Sequence, residues 1–226
     1  RDADALDLAA STISGNLDVA TGGAITQSGA LYVAGTGSFN AGANAITLSN
    51  AANDFVGAVS LNNSGANDVA ISDSNALDLG ASSVGSGALI VNAGGITQSG
   101  PIVQAAAAGP AVFNGGAGVI TLTDAANDFT GAVSLNNSGA NDAAVTDSNA
   151  IDLGNSMVGG NLAVTASGNI MESGVLTVAG TSVFTIDTAT LANVLLDNPA
   201  NDLAGAVTIA TINGGTVQDI NLRNVN

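Results

Sequence analysis

Eight aspartates recur in register along this chain. Asp54, Asp68, Asp73 and Asp78 return as Asp128, Asp142, Asp147 and Asp152. Carboxylate oxygens are hard ligands, so stacked acids of this kind are candidates for holding calcium. The positions that could take part are Asp54, Asp68, Asp73, Asp128, Asp142 and Asp147. Neither the calcium-binding nonapeptide repeat nor an EF-hand loop accompanies them. The competing reading is architectural: Asn-Asp pairs turn the chain, their side chains bonding nearby backbone. That reading predicts no cofactor and no metal site.

Paired carboxylates can also serve as acid and base on a glycoside. Here the acids repeat with the chain's own period, as scaffold residues do, and no singular cluster interrupts them. A lyase acting on acidic sugar needs a base, yet the chain has no Lys and no His, and its two basic residues are Arg1 and Arg223. No catalytic residues are predicted, and the chain is expected not to be an enzyme.

The same imbalance bounds the partners. A formal charge of −16 repels phosphate backbones and anionic lipid. Nucleic acid and direct membrane insertion are therefore not expected. Cysteine is absent, so no disulfide staples the fold. Aliphatic residues and five Phe must make the core.

What positions the acids is a repeat. "NDFVGAVSLNNSGANDVAISDSNALDLG" begins at Asn53 and "NDFTGAVSLNNSGANDAAVTDSNAIDLG" at Asn127, and "NDLAGAVTIAT" begins at Asn201. Both intervals are 74 residues (127 − 53 and 201 − 127). The unit divides the chain into a partial copy over 1–52, copies over 53–126 and 127–200, and a partial copy over 201–226. Starting at Arg1 in mid-unit, the chain reads as a mature or excised fragment. Phe39, Phe113 and Phe184 share one unit position; Phe55, Phe129 and Leu203 share another. Fixed positions make them core residues.

Inside the unit, runs of four or five β-formers alternate with Gly, Asn, Ser and Asp, as in "AVSLN", "ALIVN", "AVFN" and "VITLT". This predicts an all-β parallel β-helix. With three rungs per unit, each rung averages about 25 residues (74/3) and carries three short strands. About nine rungs result. Val, Ile and Leu, such as Ile71 and Val145, point inward; Ser, Thr, Asn and Asp point outward. Asn62, Asn63, Asn136 and Asn137 are candidates for stacked amide ladders. Near-copies suit a solenoid, in which each rung buries its face on its neighbours.

The phrases "NDFTGAVSLNNSGAND", "DSNALDLG", "VGGNLAVTASGNI", "GGITQSG" and "LTVAGTSVF" resemble the repeats of filamentous-haemagglutinin-like and autotransporter-type adhesins of Gram-negative bacteria. The resemblance covers nearly the whole chain. It implies a right-handed parallel β-helix, an extracellular location at the bacterial surface and a role as a non-enzymatic stalk or filament segment. Neighbouring β-helix segments are the implied partners, with a host-surface or matrix ligand a further one. The Asn-Pro-Asn-Gly motif of the export domain of such proteins is not matched: Asn198-Pro199 is followed by Ala200. A second expectation is a fibre subunit whose open ends stack head to tail. The third, a β-helical polysaccharide-active enzyme, is disfavoured by the missing bases.

Overall fold

The computed structural model describes residues 2–187 and 191–225. The described residues form strands and turns, with no helix among them. The first strands are β1 (Leu6–Leu8), β2 (Ser11–Ile13), β3 (Leu17–Ala20), β4 (Ile25–Gln27), β5 (Leu31–Val33), β6 (Gly37–Asn40), β7 (Ile46–Leu48), β8 (Asp54–Phe55), β9 (Val59–Asn62) and β10 (Val69–Ser72). Next come β11 (Leu77–Leu79), β12 (Ser82–Val84), β13 (Leu89–Asn92), β14 (Ile96–Gln98), β15 (Ile102–Gln104), β16 (Ala111–Asn114), β17 (Ile120–Leu122), β18 (Val133–Asn136) and β19 (Ala143–Asp147). The last are β20 (Ile151–Leu153), β21 (Ser156–Val158), β22 (Leu162–Ala166), β23 (Ile170–Glu172), β24 (Leu176–Val178), β25 (Ser182–Asp187), β26 (Leu191–Leu196), β27 (Asp202–Leu203), β28 (Val207–Ile212) and β29 (Thr216–Leu222).

Among the described residues every strand pair is parallel, and a strand generally bonds to the one three positions further on: β1 to β4, β3 to β6, β13 to β16, β22 to β25. This is a parallel β-solenoid of three strands per turn. It has about ten turns of roughly 21 residues, so the expected nine rungs of about 25 are corrected. Stacking at about 4.8 Å gives a rod roughly 50 Å long.

The correction has a definite cause. The second copy has nine strands plus a single parallel bridge, Val103 to Asp128, at the position that β8 fills in the first. Counting that bridge, the three copies hold ten strand positions each: β1–β10, β11–β19 with the bridge, and β20–β29. Ten positions at three per turn is three and a third turns, so each copy starts one side further round. The Phe-bearing strands record this rotation. Strand β6 stacks with β3 and β9; β16 stacks with β13 and β18; β25 stacks with β22 and β28. The side changes where β9 receives both β11 and β12 (Leu79 on Val59, Ser83 on Asn62). Strand β18 receives β20 and β21 in the same way (Leu153 on Val133, Met157 on Asn136).

Alternation places the core. Val69 and Ile71 of β10 are fully buried while Ala70 is partly exposed, and Val145 is buried in β19. The five Phe all lie in the core. Phe39 meets Phe55 edge-on at 6.0 Å, and Phe113 meets Phe129 at 5.8 Å. In the third copy Leu203 takes the second position, and Phe184 packs among aliphatic side chains of the same core.

Placing Asp at an inward site leaves a charge without a partner, a change on the order of 3–5 kcal/mol. Ile71→Asp is therefore expected to lower the midpoint of denaturant unfolding strongly. Ala70→Asp, one residue along and facing out, should shift it by about 0.5 kcal/mol or less. Equal effects in chemical denaturation would reverse the inward assignment.

Candidate functional site

The polar residues that recur most faithfully sit at corners between strands, where the backbone ladder is interrupted and amides need other partners. Asn53, Asn127 and Asn201 are completely buried. Asn53 forms a reciprocal amide pair with Gln27 of the rung below: its Nδ2 donates to Gln27 Oε1 at 2.9 Å, and Gln27 Nε2 donates to its Oδ1 at 2.8 Å. The same Nδ2 donates to the carbonyls of Leu48 and Ser72 at 3.1 Å. The Oδ1 also accepts the Leu31 amide at 3.0 Å. One side chain thus ties three rungs together. Asn127 repeats the arrangement with Gln98, Leu122, Thr146 and Ile102. The recurrent "ITQSG" and "AAND" segments are the two halves of this lock.

The third copy changes one half. Glu172 stands where the others have Gln, and both of its oxygens accept from Asn201 Nδ2, at 2.9 and 3.0 Å. Its Oε1 also accepts the Asn198 amide. A carboxylate has no hydrogen with which to serve Asn201 Oδ1, which here accepts the Leu176 amide. Burial pushes the Glu172 carboxyl above its ordinary range, the accepted hydrogen bonds oppose this, and Asp197 and Asp152 add to the rise.

The candidate acids are placed in two groups per copy. Asp73 and Asp147 are buried at the corner above Phe55 and Phe129. Asp147 Oδ2 accepts the Phe129 amide at 3.0 Å and its Oδ1 accepts the Asn149 amide at 2.8 Å. Asp73 does the same with Phe55 and Asn75. Asp54 and Asp128 lie near these two, close enough to act on them electrostatically. Asp68 and Asp142 sit at a different corner, capping Ala88 and Asn161 amides of the next rung at 2.8 and 2.7 Å. So the structure brings Asp54 to Asp73 and Asp128 to Asp147, and leaves Asp68 and Asp142 each at a separate corner. Among the described residues no group of three acids is arranged to hold a metal. Burial raises the Asp73 carboxyl and pushes Asp147 up to about 6, against the pull of the two accepted amides.

The recurring asparagines divide by position. Asn92, Asn114 and Asn136 form a ladder on the outside of the rod: Asn114 Nδ2 donates to Asn92 Oδ1 at 2.8 Å, and Asn136 Nδ2 to Asn114 Oδ1 at 3.1 Å. Asn62 accepts the Ser83 amide instead. Asn63 and Asn137 turn inward and bridge corner backbone: Asn137 Nδ2 donates to the carbonyls of Gly118, Asn141 and Asp142, and its Oδ1 accepts the Gly159 amide. A shallow open groove lined by Ser72, Asp73, Asn92 and Asn114 runs beside the ladder. Asp152 Oδ1 is buried without a hydrogen-bond partner. Met171 sits above it in the position from which Thr26 serves Asp7.

Of these residues, sequence reasoning expected the turn-forming role of the acids. It missed Gln27, Gln98 and Glu172. The available signal was the tandem recurrence of "TQSG" or "MESG" with "AND" at separations of 26, 29 and 29 residues (53 − 27, 127 − 98, 201 − 172).

A family described as repeats of unknown function (DUF5649) matches residues 1–62, 66–136 and 140–210. The chain belongs to this family. The second and third matches run from β10 through β18 and from β19 through β28, ten strand positions each once the bridge at Asp128 is counted. A DUF5649 repeat is therefore three and a third turns of solenoid in this chain. No curated protein and no solved structure matches it.

Glu172→Gln restores the amide pair. It is expected to raise the melting temperature at pH 7 by a few degrees, an effect of about 1 kcal/mol. The gain should shrink toward pH 4, where Glu172 is protonated. No gain at pH 7 would show that the carboxylate is as good a partner as the amide. A second expectation concerns Asp147. Its folded pKa lies above its ordinary value, so the folded state binds the proton more tightly. This contribution favours the fold below about pH 4 and is lost as pH rises through about 6. The melting temperature should rise as pH falls from 7 to 4, and Asp147→Asn should remove part of that rise. An unchanged slope in the variant would assign the rise to other groups.

Proposed function

We propose that this chain is a non-enzymatic structural segment, an acidic rod displayed outside a bacterial cell as part of a stalk or filament. One observation supports it above others. The residues that repeat, which are the ones chemistry would need, are consumed by bonds between rungs: Asn53 and Asn127 tie three rungs each, Asn201 joins its own rung to the one below, and Asp73, Asp147, Asp68 and Asp142 cap corner amides. Repetition of this kind lengthens an object; it does not build one reaction centre. A core of Val, Ile, Leu and Phe without disulfides holds it. Net charge of −16 keeps neighbouring rods apart in solution. The likeness of the repeats to those of surface adhesins favours placement at the cell surface, where the rod sets a distance from the cell.

Antibody raised against the 226-residue chain should label intact cells of the source organism, and protease treatment of those cells should strip the label. Labelling only after permeabilisation would overturn the surface assignment. Small-angle scattering should give an elongated particle of roughly 50 Å. A compact, near-spherical envelope would overturn the rod.

A further inference from the structure

Asn-x-Ser or Asn-x-Thr, with x other than Pro, is the signal for attaching a sugar to the asparagine side-chain nitrogen. It occurs twice in this chain, as Asn62-Asn63-Ser64 and Asn136-Asn137-Ser138. Each begins on the last residue of a strand, β9 or β18, and runs into a corner. Alternation turns the middle residue inward, and Asn63 and Asn137 are buried. The flanking residues face out: Asn62 and Asn136 are partly exposed, and Ser64 and Ser138 are exposed. Both tripeptides therefore show the two side chains that define the signal on the outside of the rod.

Their acceptor amides differ in state. Asn136 is held at both ends: its Nδ2 donates to Asn114 Oδ1 at 3.1 Å, and its Oδ1 accepts the Met157 amide at 3.1 Å. Asn62 uses only its oxygen, which accepts the Ser83 amide at 3.3 Å. Asn40 lies beneath it in register, with Oδ1 turned onto the Gly42 amide of its own corner at 3.0 Å. Asn62 Nδ2 has no hydrogen-bond partner among the described residues. Asn62 lines an open pocket of about 230 Å³ with Asn40, Gly42, Asn63, Ser64 and Ser83. Above it in register stands the small Ser83, where Asn136 has Met157.

The difference bears on reactivity. Conjugation with the carbonyl keeps an amide planar and ties up the nitrogen lone pair. The nitrogen attacks carbon only once it twists out of that plane. A hydrogen bond directed along the N–H, such as that from Asn136 to Asn114, is lost on twisting and so opposes it. Nothing of the kind restrains Asn62 Nδ2.

We propose that Asn62 is the acceptor of an N-linked sugar and that Asn136 is not. The proposal rests on the reading of the chain as a surface-displayed segment and adds a modification to it. The co-substrate is a glycosyl diphosphate. Its anomeric carbon forms a bond to Asn62 Nδ2 while the bond to the phosphate oxygen breaks, and the electron pair leaves on the diphosphate. One Nδ2 proton passes to a base of the transferase. Asn62 Oδ1 keeps the Ser83 amide, so the contact between those rungs survives the attachment.

Peptide mass mapping of the protein isolated from its source tests this. The peptide containing Asn62 should carry added sugar mass, and the peptide containing Asn136 should not. A single sugar residue would identify a sugar nucleotide as the donor; a preassembled oligosaccharide would identify a lipid-linked diphosphate. Ser64→Ala, expressed in the same source, leaves Asn62 in place and should abolish the added mass. An unmodified Asn62 in the source protein overturns the proposal. Equal occupancy of Asn62 and Asn136 also overturns it, because attachment would then ignore the state of the amide. So does sugar that persists in Ser64→Ala. Antibody labelling of intact cells reports on surface display separately, so labelled cells with an unmodified Asn62 sink this proposal and leave the surface reading standing.

Discussion

Everything in this molecule follows from keeping a backbone in parallel register with itself at strand spacing while it turns three corners per revolution. Strands satisfy their own amides across the 4.8 Å gap. Corners do not, and a buried amide left unbonded costs about 1–3 kcal/mol. The corners are therefore where the sequence is least free. Asparagine suits them because its side chain both donates and accepts and is short enough to reach adjacent rungs. The Asn127 side chain makes five hydrogen bonds to four residues and has no exposed surface. Aspartate serves where two amides converge, as at Asp147, and bears the desolvation that raises its pKa.

Much of the fold was legible in the residues, because period-two runs and a fixed repeat interval are both direct consequences of stacked strands. The inward assignment of Ile71 and Val145 needed only alternation. The number of turns was not legible. Strand β8 is two residues long and its counterpart at Asp128 is a single bridge, too short for alternation to register. The tenth strand position was thus invisible, and 74 residues divided by three gave too long a rung. The corner locks were half legible. Aspartates next to asparagines announce turns, but a fully buried Asn pairing with Gln27 across 26 residues of sequence has no local signature. Only the joint recurrence of both segments points to it.

The third copy departs from the other two in a consistent way. Gln gives way to Glu172, the T-shaped Phe pair to Phe184 and Leu203, and Asp at the Phe corner to Asn224. Its strands also lengthen: β25, β26 and β28 have six residues each and β29 seven. Each change preserves the ladder and alters the shape of a side. The register between rungs is kept except for one shift between β26 and β29 at Ala192–Val194, while the cross-section varies.

The extra third of a turn per copy decides how the rod looks from outside. A loop such as Asn137–Asp142 and its counterpart Asn63–Asp68 are identical in sequence but face different compass directions, one side apart. A decoration carried once per repeat thus winds around the shaft like the thread of a screw and returns to its starting bearing after three repeats, roughly 50 Å along the axis. A flat surface lying against the rod would touch only every third copy, whereas a partner that wraps around it would touch them all.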